Sequence, residues 1–137
     1  MKSGWILAAA LCLCAARSAE AEEVDFATLS GFDYVEGMDL PSEVTDLDER
    51  TIRVPGFMNP EVDGEDDVEY FMLIDDACGC EGIPKLNEII FCAMPEGETT
   101  DILSGTVFVE GTIYVGEQVE DGVVVSVYEL DVDLIEK

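Results

Sequence analysis

From Thr51 to the end of the chain, apolar residues recur at every second position in several separate runs, which is the period of a half-buried β-strand. Ile52, Val54 and Met58 share one face of the first run, Thr51–Asn59. Pro55 lies within it and has no N–H to give to a ladder, so this strand is predicted to sit at an edge or carry a bulge. Val68, Tyr70, Met72 and Ile74 line one side of a second run, and a short third run, Glu88–Met94, places Cys92 in phase with Ile90 and Met94. In Thr106–Val115 the alternating residues are Val107, Val109, Ile113 and Val115. In Val123–Leu134, Leu130, Val132 and Leu134 alternate with Glu129, Asp131 and Asp133, as expected when one face is buried and the other meets water. Asp63-Gly64 and Asp121-Gly122 fall between runs and offer the positive-φ residues of tight hairpin turns.

Five strands of this length predict an all-β fold, a small five-stranded Greek-key barrel of OB type. A short connection around residues 99–104, expected to be helical, joins its third and fourth strands. An immunoglobulin-like sandwich would need about seven strands. The strand aromatics Tyr70, Phe71, Phe91, Phe108 and Tyr114 are expected to pack in the core, with an aromatic binding face as the alternative. Residues 22–49 hold Val24, Phe26, Leu29, Phe32 and Tyr34 among Gly, Asp and Pro. They read as an irregular N-terminal arm laid over the barrel domain of residues 50–137, with one helical turn near Phe26–Ser30.

Ahead of the arm, Lys2, the apolar run Trp5–Ala16 and the small-x-small step Ala19-Glu20-Ala21 have the order of a secretory signal peptide spanning residues 1–21. The apolar run is well short of the roughly 20 residues needed to span a bilayer, so no membrane insertion is expected after cleavage. Cys12 and Cys14 each follow a leucine, and a lipidated cysteine wants a small residue before it. The expected location is secreted or periplasmic.

Cleavage after Ala21 removes Lys2, Arg17 and Glu20 from 6 basic and 32 acidic residues, leaving 4 and 31 and a net charge of −27. A field of that sign repels phosphate backbones and anionic headgroups, which disfavours nucleic acid and membrane surfaces and favours cations or basic protein surfaces. Abundant surface carboxylates also keep a protein soluble in high salt, so acidity by itself assigns no function.

Histidine is absent, and with it His-based acid–base catalysis, the Ser-His and Cys-His nucleophile pairs and the commonest zinc ligand. There is no G-x-S-x-G elbow and no phosphate-binding Gly-rich loop followed by Lys and Ser or Thr. The acid run Asp63–Asp67 lacks the ligand spacing and closing glutamate of a calcium loop and reads as a solvated turn. The chain is therefore expected not to be an enzyme.

Its chemistry concentrates in residues 75–92, where all three cysteines outside the leader lie. Cys78, Cys80 and Cys92 are the disulfide candidates; their odd number leaves one thiol over, and Cys92 fits equally well as a small apolar core residue. The C-x-C spacing of Cys78 and Cys80 projects two sulfurs to one side of an extended segment, with Asp75, Asp76 and Glu81 at hand as oxygen donors. Zinc accepts such a mixed set, so the metal candidates are Cys78, Cys80, Asp75 and Asp76. A lone C-x-C lacks the second pair of a zinc ribbon, and the neighbouring carboxylates raise thiol pKa values, which works against redox catalysis.

The runs Arg53–Glu61 (RVPGFMNPE), Val68–Ile74 (VEYFMLI), Ala77-Cys78, Pro84, Asn87–Ile90 (NEII) and Gly105–Ile113 (GTVFVEGTI) resemble bacterial exported proteins of domain-of-unknown-function family 3299, over roughly residues 47–134. That family carries a loop of the form Ala-Cys-x-His followed by several prolines and Asn-Gln-Ile, with the Cys-to-Asn spacing found here between Cys78 and Asn87. Cys80 stands where the family has histidine, and Pro84 alone remains of the proline run. The resemblance implies an envelope location near transporter systems, some connected with metal uptake. It also implies an accessory binding role toward an envelope protein partner, with the loop residues Cys78, Cys80, Glu81, Pro84 and Asn87 as the functional edge. The alternative is a metal-handling protein holding zinc or a similar ion through Cys78 and Cys80.

Overall fold

The computed structural model describes residues 20–75 and 82–137. Its elements in chain order are β1 (Glu22–Glu23), α1 (Phe26–Leu29), α2 (Ser42–Thr45), β2 (Thr51–Pro60), β3 (Tyr70–Ile74), a 3₁₀ turn (Leu86–Glu88), β4 (Ile89–Ala93), β5 (Thr106–Glu120) and β6 (Val123–Glu136). The strands form one sheet in the order β1-β2-β3-β4-β6-β5, and β5 returns to pair with β2. Strands β2 to β6 thus close into a ring, antiparallel except where β4 runs parallel to β6. This is the connectivity of a small five-stranded Greek-key barrel of OB type.

Strand β2 makes the closure possible by changing partners along its length. Thr51–Phe57 pair with β5, and Phe57–Pro60 pair with β3. Gly56 sits at the change, where a Cβ would come within 2.8 Å of Leu73 Cγ and 2.9 Å of the Ile74 carbonyl oxygen, so only glycine lets the two backbones approach. The other edge of β2 carries the two-residue parallel strand β1, and the Arg53 carbonyl accepts from Val24 N–H at 2.9 Å. Pro55, two residues on, turns its nitrogen to that same side, into the gap between β1 and β3 where no donor is needed. The edge character that the proline predicts is realised in this gap.

Ile52, Val54, Leu73, Ile90, Val107, Val109, Ile113 and Leu130 fill the interior, all essentially without exposure. The hairpin joining β5 to β6 turns on Asp121 (φ 51°) and Gly122 (φ 78°), the two consecutive left-handed residues of a type I′ turn. Both strands run longer than the alternation alone suggests. The N-terminal residues add Val24, Phe26, Leu29, Val44 and Leu47 to the same core. Helix α1 starts where Asp25 accepts from Thr28 N–H at 3.0 Å, and its end is held by Tyr128, whose hydroxyl donates to the Leu29 carbonyl at 2.7 Å. The helical turn expected near Phe26–Ser30 is therefore present and is packed into the barrel.

Four expectations change. Asp63-Gly64 does not close a two-residue hairpin. It lies in a turn from Val62 to Glu65 within a connection spanning residues 61–69. A two-residue turn there would set Glu69 opposite Met58; the observed register sets Leu73 opposite Met58, apolar against apolar. On β3 the buried residues are Phe71 and Leu73, so Tyr70, Met72 and Ile74 face outward. Buried Val68 lies ahead of β3 and pairs with Thr100, outside that series. Residues 99–104 are not helical, because Thr100 exchanges two backbone hydrogen bonds with Val68, at 2.9 and 3.0 Å. Of the five aromatics expected in the core only Phe71 is there. Tyr70, Phe108 and Tyr114 are exposed and Phe91 is half-buried, while Tyr128 is the largest fully buried side chain.

Candidate binding face

Because direct partners across a ladder point to the same side of a sheet, the strand registers define the outer surface of β3, β4, β6 and β5 row by row. One row reads Met72, Phe91, Glu129, Tyr114, and the next reads Tyr70, Ala93, Asp131, Thr112. Ile74 and Ile89 extend the first two strands by one further pair. The face is apolar on its β3–β4 half and acidic on its β6 half. Tyr70 is 56% exposed, and Met72, Phe91 and Ala93 are partly so. The Tyr114 phenol is held above its ordinary pKa chiefly by the Asp131 carboxylate beside it, then by partial desolvation, with Glu49 and Asp48 adding to the effect.

Beyond Tyr70 lies the connection of residues 61–69. Glu61, Glu65, Asp66, Asp67 and Glu69 line a shallow recess of about 260 Å³ whose wall is completed by Val68 and Tyr70. An exposed aromatic ring among carboxylates is a surface for a cationic group, which gains from the ring face and from the charges together. Among the described residues the ion pairs lie elsewhere: Arg50 with Glu22, Arg53 with Glu110 and Glu136, and Lys85 with Asp33.

A second depression, of about 290 Å³, lies across the molecule between Val24, Thr28, Arg53, Pro55 and Phe108. Its guanidinium is already engaged, 2.9 Å from Glu136, 3.7 Å from Glu110 and 4.6 Å above the Phe108 ring. Those contacts tie the end of β6 to β2 and β5, which makes the cluster a brace.

The residues singled out from the cysteine block are dispersed in role. Cys78, Cys80, Asp76 and Glu81 lie outside the described residues; Asp75 is exposed at the end of β3. Pro84 is exposed, next to Lys85. Asn87 is buried, 1% exposed, and its amide donates to the Phe32 carbonyl at 2.9 Å. The backbone N–H of Lys85 donates to Glu88 Oε2 at 2.8 Å, closing the 3₁₀ turn that presents Asn87. Cys92 is a free, buried thiol donating weakly to the Ile90 carbonyl, with burial pushing its pKa up. Among the described residues no cluster of Cys, Asp or Glu is arranged to hold a metal ion. No described helix is long and apolar enough to cross a membrane. The sequence favours the core for the outward aromatics because alternation shows which residues share a face without showing which face is inside.

Comparison with known proteins adds fold and family. The crystal structure of a DUF3299 family protein from Pseudomonas aeruginosa PAO1 is similar with a TM-score of 0.57 and 18% identity, over 85% of this chain and 95% of that one. The Stn1–Ten1 complex of S. pombe gives a TM-score of 0.40 at 14% identity, covering 87% of this chain and 77% of that one. A putative aspartyl-tRNA synthetase from Leishmania major Friedlin gives 0.43 at 13% identity, covering 90% and 22%. No curated protein matches the sequence. The model of the DUF3299 family, proteins of unknown function, matches residues 16–137, further toward the N-terminus than the motifs alone suggest, and the chain belongs to that family.

Proposed function

We propose that this protein is a non-enzymatic binding module, secreted or periplasmic, that acts as an accessory component of a cell-envelope system through the outer face of β3, β4 and β6. One observation carries the reading. Tyr70, Met72, Phe91 and Ala93 form a contiguous apolar surface on a rigid sheet, bordered on one side by Glu129 and Asp131 and on the other by the acidic 61–69 connection. An apolar centre with a charged rim is the anatomy of a protein–protein contact. The location rests on the Met1–Ala21 leader, and the non-enzymatic reading on the lack of histidine and of any catalytic motif in the sequence. Small barrels of this kind commonly bind oligonucleotides on the corresponding strands, but the negative field here opposes a phosphate backbone.

The test is site-specific photo-crosslinking in the native host, with the reactive side chain placed at Phe91 or, as a control, at Phe108 on the opposite side. A discrete protein adduct from Phe91 and not from Phe108 supports the reading. Equal labelling from both positions, or none from Phe91, overturns it.

A further inference from the structure

Resting on that reading, we propose that the recess between the 61–69 connection and Tyr70 seats a lysine or arginine side chain from an extended basic segment of the partner protein. The apolar side chains of that segment would lie over Met72, Phe91 and Ala93. Charge complementarity selects this occupant. Five acidic residues line the recess together with one half-exposed tyrosine, and among the described residues none of their carboxylates is in an ion pair with a cation of the chain itself. Tyr70 therefore offers a ring face to a cation in surroundings already strongly negative.

The register also gives the segment a spacing. Asp131 stands two strands away from Tyr70 along one row, through Ala93. At about 4.8 Å between neighbouring strands Tyr70, at the border of the recess, and Asp131 are roughly 10 Å apart, the reach of about three residues of extended chain. A segment crossing the strands can place one cation in the recess and a second beside Asp131 and Glu129, with its apolar residues on the strip between. A uniform negative field makes no such demand on spacing and has no use for the Tyr70 ring.

The experiment measures the affinity of the purified protein for a fluorescent peptide carrying two arginines among leucine, phenylalanine and serine. A second peptide, with glutamate for arginine, is the control. The arginine peptide is expected to bind and the glutamate peptide not to bind. Tyr70→Ala, and separately the pair Asp66→Asn and Asp67→Asn, should each weaken binding about tenfold. Tyr70→Phe, which keeps the ring, should retain it, and Phe108→Ala, on the far side, should change nothing. Equal affinity across all these variants would mean diffuse attraction to an acidic protein and overturn the proposal, as would tighter binding of the glutamate peptide. Crosslinks from Phe91 in the host together with an arginine peptide insensitive to Tyr70 would leave the face standing and remove only its basic occupant. Loss of the crosslinks removes the face itself.

Discussion

The side-chain amide of Asn87 donates to the backbone carbonyl of Phe32 at 2.9 Å, joining the 3₁₀ turn of the cysteine block to a part of the chain 55 residues earlier. Lys85 reaches the same place, 3.7 Å from Asp33. An asparagine that the sequence marks as a candidate binding residue is thus committed to the interior, and its Oδ1 is buried with no donor among the described residues. The consequence is a stability role for Asn87, which holds the N-terminal segment at Phe32, three residues beyond the Leu29 carbonyl held by Tyr128.

Asn87→Ala should destabilise the protein by about 1–2 kcal/mol, the net loss of a buried hydrogen bond, reduced because an unpaired acceptor disappears with it. Asn87→Asp should cost more, since it puts a carboxylate where a second carbonyl already stands. Urea unfolding of both variants gives the comparison; an aspartate variant as stable as wild type would contradict the burial.

Tyr128→Phe keeps the ring in the core and removes only the hydroxyl that holds the Leu29 carbonyl. A loss of about 1 kcal/mol is expected, with faster amide exchange around Phe26–Ser30 and little change in β5 and β6. Uniformly faster exchange would show that α1 does not open on its own.

Gly56→Ala is expected to cost about 1–3 kcal/mol, because the new methyl meets Leu73 and the Ile74 carbonyl where β2 changes partners. Thermal unfolding of this variant should show the loss, and an unchanged midpoint would mean that β2 and β3 can separate there without penalty.

Burial pushes both the Cys92 thiol and the Tyr128 phenol above their ordinary pKa values. Each is favoured neutral in the folded state, so its contribution is complete below the unfolded pKa and is lost as pH rises from there toward the folded one. Stability should begin to fall above about pH 8.5, where an unfolded cysteine ionises, and fall more steeply above about pH 10, where an unfolded tyrosine does. Cys92→Ala should remove the first part of the decline. Mass-spectrometric mapping after alkylation should find Cys92 modified only once the protein is unfolded; rapid native labelling would place the thiol outside the core.

The strands were legible because alternation and Asp-Gly turns are local signals. Asp121-Gly122 needed only two positive φ angles, and Pro55 only its missing N–H, for their places to be read from residue type. What was not legible depends on partners distant in sequence. The orientation of β3 follows from Leu73 lying opposite Met58, which no pattern within residues 68–74 specifies. The non-helical form of residues 99–104 follows from Thr100 pairing with Val68, far back in the chain. Tyr70 and Phe91 belong to the candidate face because their strand neighbours Phe71, Leu73, Ile90 and Cys92 fill the barrel. The segment 22–49 looked irregular because its buried residues follow neither strand nor helix period over any length. Its order comes from β2, Tyr128 and Asn87.

The most direct measurement of the central claim is amide chemical-shift mapping of the isotope-labelled protein as the arginine peptide is added. The account expects the perturbed residues to cluster in 65–74, 91–93, 112–114 and 129–131, with those around Arg53 and Phe108 unmoved. Shifts spread evenly over acidic residues on every side, or centred on the Arg53–Phe108 groove, would contradict it.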